Sequence, residues 1–561
     1  MNSHVAPVLI VGAGPTGLTL GNLLAHDGVP VTLAERNAAT ADSPRAVSFD
    51  DEALRTLQSC GLDGEAYGLI VQGTGTKFYG RRGQTIAYQR GVVPPPLGHP
   101  VKNPFSQPEF DRMLLRALER YEHVEVRMRT ELISLRIETP FRTVATLRDA
   151  DGNEEELTAR IVVGCDGGRS SVREQLGITM AGSSLQQPWV VIDVLDDHHD
   201  ERYAMHHCDP RRPHVIVAGR DGRCRYEFML LPGDDPGELT SFAAVEALLR
   251  PFRTIRPEQI ERCTVYTFHA LVAERWRVGP VFLAGDAAHM MPPFAGQGLN
   301  SGIRDAANLA WKLAAVTSGR AEDRLLDTYE AERRPHADAI VSYSTRLGRV
   351  MMTRHGTLAR ARDLSLRAGA RIPSVRRYVT EGRFKPTARF GAGGALLAAG
   401  DAPAVVGRML PQPFVLGADG RQRRLDDVLG DGFALLAIDP PQMTSPALDD
   451  DVWRVLAPKY VALLLDDRAP RSGAVTVVAD IDGSLGRALR AARGKLLLVR
   501  PDRFVAAVLP LDLEGSATAV AEALAVVPFR GAASADDRRL PEGVGNAHHA
   551  ETLGEPIQSE G

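Results

Sequence analysis

Cysteine is scarce in this 561-residue sequence: five residues, at positions 60, 165, 208, 224 and 263, and none beyond. They lie far apart, with no Cys-x-x-Cys and no zinc-type spacing. That excludes a disulfide scaffold and points to reduced thiols in a cytoplasmic setting. Long apolar runs are missing as well. None approaches the roughly 18 residues a membrane span requires, and the opening MNSHVAP lacks the basic segment of a signal peptide. Charge of one sign is absent: 66 Lys and Arg oppose 70 Asp and Glu, for a net −4. There is then no electrostatic case for nucleic acid or anionic membrane as a partner. Neither GxxxxGK[ST] nor HExxH occurs, which removes P-loop and zinc-peptidase chemistry.

What is present suits a globular protein of two to four domains, with 44% hydrophobic and 24% charged residues. Val8-Leu9-Ile10-Val11 reads as a buried parallel strand and runs into Gly12-Ala13-Gly14-Pro15-Thr16-Gly17. This is GxGxxG between a strand and a helix, which Leu18 to His26 supplies. Its glycines allow a tight turn, close approach of a pyrophosphate, and helix–strand packing. A second strand, Pro30 to Ala34, ends at Glu35, where an acid for a ribose hydroxyl is expected. The motif by itself does not separate FAD from NAD. No second GxGxxG occurs, so a nicotinamide cofactor is expected only as a transient visitor.

A second stretch, Gly279 to Leu313, repeats the logic. Val281 to Ala284 forms a strand, Gly285-Asp286 places a carboxylate at its C-terminal end, and a Pro/Gly loop leads into a helix from Asn300. A Gly-x-Gly loop, Gly296 and Gly298, presents backbone N–H groups at a helix N-terminus, which favours negative charge. The pyrimidine end of a reduced flavin carries such charge.

Between these stretches, Asp51 to Cys60 reads as a helix and Gly68 to Gly98 as a hairpin and loop leaving the nucleotide domain. Gln107 opens an amphipathic helix, and a strand ends at Gly164-Cys165-Asp166. From Pro188 to His269 the pattern turns antiparallel: WVVIDVL, RYAMHHC, PHVIVAG, RCRYEFMLL and CTVYTFHAL. His206 and His207 alternate, so at most one faces a pocket. Tyr226, His269 and the arginines at 211, 212 and 220 are further candidates. A helical region follows from Leu326 to about Arg377, with Gly391 to Pro403 as a linker. Strand candidates at 433–438, 461–465, 475–478 and 496–499 make a smaller α/β unit. From about Ser534 the chain is polar and aperiodic, and a loosely ordered tail is expected.

GDAAHxxPPxxGQGxNxGxxDAxNLxWKL resembles the second FAD motif of the single-component flavoprotein aromatic hydroxylases, the para-hydroxybenzoate hydroxylase family. The whole chain, including RPDRFVAA, resembles the branch around 3-(3-hydroxyphenyl)propionate hydroxylase. The resemblance implies an α/β protein: a Rossmann-type FAD-binding domain (1–182 and 270–395) with a helical extension and an inserted antiparallel substrate domain (183–269). A thioredoxin-like domain (400–533) and the polar tail (534–561) complete it.

It also implies FAD contacts from Gly12, Gly14, Pro15, Thr16, Gly17, Glu35 and Arg36. Arg45 lies near the flavin, Gln107 and Asp286 meet the ribityl chain, and Asp166 serves both FAD and nicotinamide. Gly285, Gly296, Gly298 and the backbone of Leu299 and Asn300 complete the set, with Pro293 lining the catalytic face of the ring. His206 and Tyr226 join Pro293 as catalytic candidates; the base for the phenol has no assigned residue.

The implied reaction uses NADH or NADPH and O₂. Reduced FAD forms a C4a-hydroperoxide, and a phenol is hydroxylated ortho or para to its hydroxyl. The loop Pro293-Phe294-Ala295 departs from that branch, so a polyketide or other natural product, hydroxylated or epoxidised, stays open as substrate. A homodimer is the assembly considered, with the C-terminal unit at an interface or behind the flavin domain.

Overall fold

The computed structural model describes residues 5–528 apart from 186, 200, 398–404, 466–469 and 472. The expected polar tail, 534–561, and part of the expected linker lie outside the described residues.

The first sheet is built on parallel strands. Its spatial order is Arg277–Val278, Val281–Leu283, Glu154–Gly164, Val5–Val11, Val31–Glu35 and Val124–Met128. Val8 to Val11 are all buried, as expected for strands covered on both faces. Register decides where the chemistry emerges. Val11 pairs with Ala34 and Gly164, and Gly164 pairs with Leu283. Just past that row the chain continues as Gly12, Glu35, Cys165-Asp166 and Gly285-Asp286. Every loop singled out from the sequence therefore leaves the same edge of the sheet, where open α/β sheets bind ligands.

The second sheet has seven strands, in the order Ile260–Tyr266, Trp189–Val194, Cys224–Met229, His214–Ala218, Ala204–His207, Thr76–Tyr79 and Thr85–Gln89. Two features differ from the expectation. The hairpin of residues 76–89, assigned by sequence to the nucleotide domain, extends this sheet, with Thr76–Tyr79 parallel to Ala204–His207. Buried Phe78 and Ile86 pack there against Cys208 and Met351, a long-range contact with no local signal. The segment CTVYTFHAL is two strands: His269–Ala273 turns away and pairs with Met180–Ser184 and His289–Met290.

Helices Thr328–Met351, Gly356–Gly369 and Pro373–Thr380 form the extension. The C-terminal unit holds another seven-stranded sheet. Its strands Thr476–Asp480, Lys459–Leu464 and Ala434–Ile438 are parallel, and Leu496–Val499 and Val505–Leu509 are antiparallel. One face of this sheet, including Leu435, Ala437, Leu496 and Leu498, belongs to the same continuous core as the first sheet. Trp311 and Phe433 meet edge to face at 5.6 Å across that seam. No helix among the described residues is long and apolar enough to cross a membrane.

Candidate active site

A cavity of about 390 Å³ opens where the first sheet's loops meet the second sheet. Its floor is the Gly12–Thr16 turn. Gly12 has φ +106, and a Cβ there would lie 2.6 Å from the carbonyl oxygen of Cys165, so only glycine fits. A Cβ on Gly14 would meet open space. The helix Pro15–His26 has no side-chain cap at Gly14, which leaves its first amides aimed at the cavity. Gly17 does not line the cavity. A Cβ on it would lie 2.1 Å from Gly12 O, so its role is packing helix on turn, not contact with a ligand.

Beside this floor, Glu35 accepts from Ala13 N at 2.8 Å and from Asn37 N at 2.9 Å. Arg36 and Arg45 also border the cavity. The loop carrying Arg45 is clamped from two sides. Gln107 Oε1 accepts from Arg45 N (2.9 Å) and Ala46 N (2.8 Å), while Arg225 donates to Arg45 O at 2.9 Å and is itself fixed by two bonds to Asp193. Asp166 Oδ2 accepts from Ser171 Oγ and Val172 N; Asp166 Oδ1 is buried without a partner among the described residues.

Asp286 projects into the open cavity with its side chain exposed, and the surrounding protein, by displacing water, pushes its carboxyl up. Gly285 is not a lining residue. With φ +62, its Cα packs against Thr16, where a Cβ would lie 2.5 Å from Oγ1. Its N–H donates to Asp305 Oδ2 at 3.0 Å, and His289 and Arg333 bind the same carboxylate at 2.7 and 2.9 Å. Pro293, Gly296, Gly298 and Leu299 line the cavity. Asn300 does not. Its side chain is spent on Asp50 N (3.0 Å), Gly296 O (2.8 Å) and Ser48 O (3.2 Å), so only its backbone at the start of helix Gly298–Thr317 is offered.

The roof comes from alternate residues of the second sheet: Ala204 and His206, Val215 and Val217, Arg225 and Glu227. His206 sits 5.0 Å from the Phe78 ring, and burial with the nearby Lys102 charge pushes it down to about 3, so the imidazole is neutral. His207 faces the other way, stacked on His214 at 4.4 Å. Tyr226 also faces away from the cavity. It is wholly buried on the opposite face and donates to Asp197 at 2.7 Å. The strand's two-residue period assigns 225 and 227 to the cavity and 226 to the core behind. His269 bonds Ser184, and Arg211, Arg212 and Arg220 pair with Asp209, Asp234 and Asp221; none borders the cavity. Lys102 and Glu227 were missed in the sequence. Glu227 was findable, since it shares a strand face with Arg225; Lys102, a lone cation in a Pro-bearing loop, carried no signal.

A family model described as "FAD binding domain" matches residues 5–344, and one described as "HcaD C-terminal domain" matches residues 407–523. The chain belongs to the FAD binding domain family. The protein is an FAD-dependent monooxygenase of the aromatic hydroxylase class. It is 38% identical over 518 residues to 3-(3-hydroxy-phenyl)propionate/3-hydroxycinnamic acid hydroxylase 2 of Burkholderia vietnamiensis (strain G4 / LMG 22486), covering 90% of this chain and 94% of that one. The Mycolicibacterium gilvum (strain PYR-GCK) enzyme called 3-(3-hydroxy-phenyl)propionate/3-hydroxycinnamic acid hydroxylase is also 38% identical, over 89% and 88%. Among solved structures, aklavinone-11 hydroxylase in a ternary complex with FAD and aklavinone aligns with TM-score 0.76 at 26% identity, over 93% of this chain and 100% of that one. The flavin-dependent monooxygenase PieE shares the fold, with TM-score 0.77 at 22% identity, over 93% and 100%.

The cavity of this FAD monooxygenase fits the cofactor on its own terms. It combines an uncapped helix N-terminus, open space over Gly14, a carboxylate at the end of the second strand, and the unpartnered Asp166 Oδ1.

Proposed function

We propose that the protein hydroxylates a phenol bearing a short acidic side chain, of the 3-(3-hydroxyphenyl)propionate kind, ortho or para to its hydroxyl, with NADH or NADPH as reductant. The observation that carries this reading is the 38% identity to hydroxylases so named over nine-tenths of the chain. The amides of Gly14 and Thr16 would hold the pyrophosphate, Glu35 a ribose hydroxyl, Asp286 the ribityl chain, and the amides of Gly298 to Asn300 the pyrimidine end. Bound FAD supplies the redox chemistry, taking two electrons from NAD(P)H and using O₂ to deliver one oxygen atom to a ring carbon.

The protein's own contribution is positioning and exclusion of water. Pro293 and Phe294 form one wall, with Phe294 braced by Trp189 (5.6 Å) and Phe268 (5.9 Å). Val215 and Val217 supply an apolar roof, and neutral His206 offers one hydrogen bond.

The C-terminal unit is read as a redox-inert, thioredoxin-like domain, because no cysteine follows Cys263. The cytoplasm is the compartment this reading takes, on cysteines spaced too far apart for a disulfide framework, and a homodimer is the assembly to test by light scattering.

A second reading, hydroxylation or epoxidation of a polyketide, is favoured by the full-length alignment with aklavinone-11 hydroxylase. NAD(P)H consumption by the yellow protein across phenolic acids and polyketides, scored for hydroxylated product against H₂O₂, separates the two. The proposal expects slow oxidation alone and at least about tenfold acceleration by a phenol with a short acidic side chain, a demand of about 1.4 kcal/mol. Acceleration by polyketides only would replace it with the second reading.

A further inference from the structure

Lys102 has a left-handed backbone, φ +63, in a region costly for any residue but glycine. The strain is held by a clamp. Thr74 donates its N–H (3.1 Å) and hydroxyl (3.4 Å) to Lys102 O, and the next residue, Asn103, bonds Pro100 O at 2.6 Å and Gly73 N at 2.9 Å. The result is a side chain lining the cavity with its ammonium against Gly296, where an added Cβ would lie 3.1 Å from Nζ. No carboxylate stands within ion-pair distance of that ammonium among the described residues. Glu227 reaches the same cavity from the roof. Its nearest cation, Arg225, is 4.0 Å away and already committed to Asp193, and its carboxylate makes no hydrogen bond among the described residues. Among the described residues the cavity thus contains an ammonium with no ion pair and a carboxylate whose one ion pair, to Arg225 at 4.0 Å, is long and shared with Asp193.

We propose that Lys102 and Glu227 form the subsite for the phenol oxygen: Glu227 accepts the hydroxyl proton and the Lys102 ammonium holds the resulting phenolate. This rests on the phenol-hydroxylase reading above. The O–H bond breaks, its electron pair stays on the phenol oxygen, and the proton moves to Glu227; one negative charge is transferred and none is created. A substrate carboxylate suits the place less well, because Glu227 would repel it. Burial acts in the right sense on both groups. It raises the Glu227 carboxyl, making it a better proton acceptor, and lowers Lys102 to about 8, still largely charged at neutral pH. Asp50 and Lys385 are the other charges bearing on Lys102, and neutral His206 borders it.

The test uses oxidised, FAD-loaded protein without reductant and 3-(3-hydroxy-4-nitrophenyl)propionate, whose phenolate absorbs in the visible. Native protein should lower the apparent pKa of the bound phenol by at least about one unit, a tenfold preference for phenolate. Lys102→Met should abolish that shift and weaken binding about tenfold, with Lys102→Arg retaining part of it, while the O-methyl ether of the ligand binds Lys102→Met as well as native. Glu227→Gln should release close to one proton to the solvent on binding, where native releases almost none. Equal weakening of phenol and ether by Lys102→Met would assign Lys102 to the side-chain carboxylate and overturn the proposal. Lost FAD affinity with an unchanged phenol shift would assign it to the cofactor and do the same. A native protein that binds the phenol without shifting its pKa refutes the subsite alone; one that binds no phenol refutes the functional reading with it.

Discussion

Arg500 donates through both terminal nitrogens to the carboxylate of Glu332, at 2.6 and 2.9 Å, and neither side chain has any exposed surface. Arg500 belongs to the C-terminal unit and Glu332 to the helix Thr328–Met351. Lys312 and Asn308, on the helix that begins at the cavity loop, bind the same carboxylate at 2.8 and 2.6 Å, and Asp502 pairs with Arg500 as well, at 2.5 Å. The guanidinium also lies 5.0 Å from the Trp311 ring. The RPDRF run is therefore a latch that holds the C-terminal unit on the back of the helix whose N-terminus faces the cavity.

Breaking one partner of such a buried pair leaves an unpaired charge in the core. Glu332→Ala should lower stability by about 3–5 kcal/mol, read as the urea midpoint of the FAD-loaded protein. Although burial opposes it, Arg500 and Lys312 hold the Glu332 carboxyl well below the usual carboxylate range. Its contribution is therefore full above the ordinary carboxylate pKa and lost as pH falls below it. A midpoint unchanged in Glu332→Ala would show that the latch carries no load.

Because the C-terminal sheet shares its core with the first sheet, deleting residues 400–561 should expose Trp311 and the surface around it. The expected outcome is insoluble or FAD-free protein. A soluble, FAD-loaded truncation would show the units to be independent.

Two glycines give opposite expectations. Gly12→Ala places a Cβ 2.6 Å from a carbonyl oxygen at φ +106, so the apoprotein itself should be destabilised. Gly298→Val meets only Met291 Cγ, at 3.9 Å from the first added carbon. It should fold normally and lose FAD affinity, since only a bound ring would crowd it. Circular dichroism and flavin content of both variants decide the matter.

Asp286→Ala removes a carboxylate that projects into the cavity. Loss of a hydrogen bond to a charged group costs about 1.5–3 kcal/mol, so FAD should bind roughly ten- to a hundredfold more weakly. Fluorescence titration of the apoprotein measures it, and unchanged affinity removes Asp286 from the FAD site.

Tyr226→Phe should leave the phenol KM within about twofold, since Tyr226 is walled off from the cavity. It should destabilise the protein by about 1–3 kcal/mol, because Asp197 loses a buried donor. A selective rise in KM with stability intact would return Tyr226 to the site.

Much of the site was legible because its signals are local. Strand, glycine turn and helix follow one another within thirty residues at Gly12 and again at Gly285, and each acid sits at a strand end. The two-residue period also told His206 from His207. That period assigns faces only relative to a neighbour: it separates 226 from 225 and 227, but not which of them meets the cavity. Tertiary packing decided that, when Arg225 on one face of the sheet reached the carbonyls of Pro44 and Arg45 in the flavin loop. That Lys102 has no ion pair among the described residues, and Glu227 only a long one to Arg225, likewise depends on what fails to reach them. Sequence thus determined the family, the cofactor turns and the strands, through short-range backbone chemistry. The three-dimensional fold alone decided which polar groups kept bonding capacity free toward the cavity, because burial and ion pairing are set by segments distant in the chain.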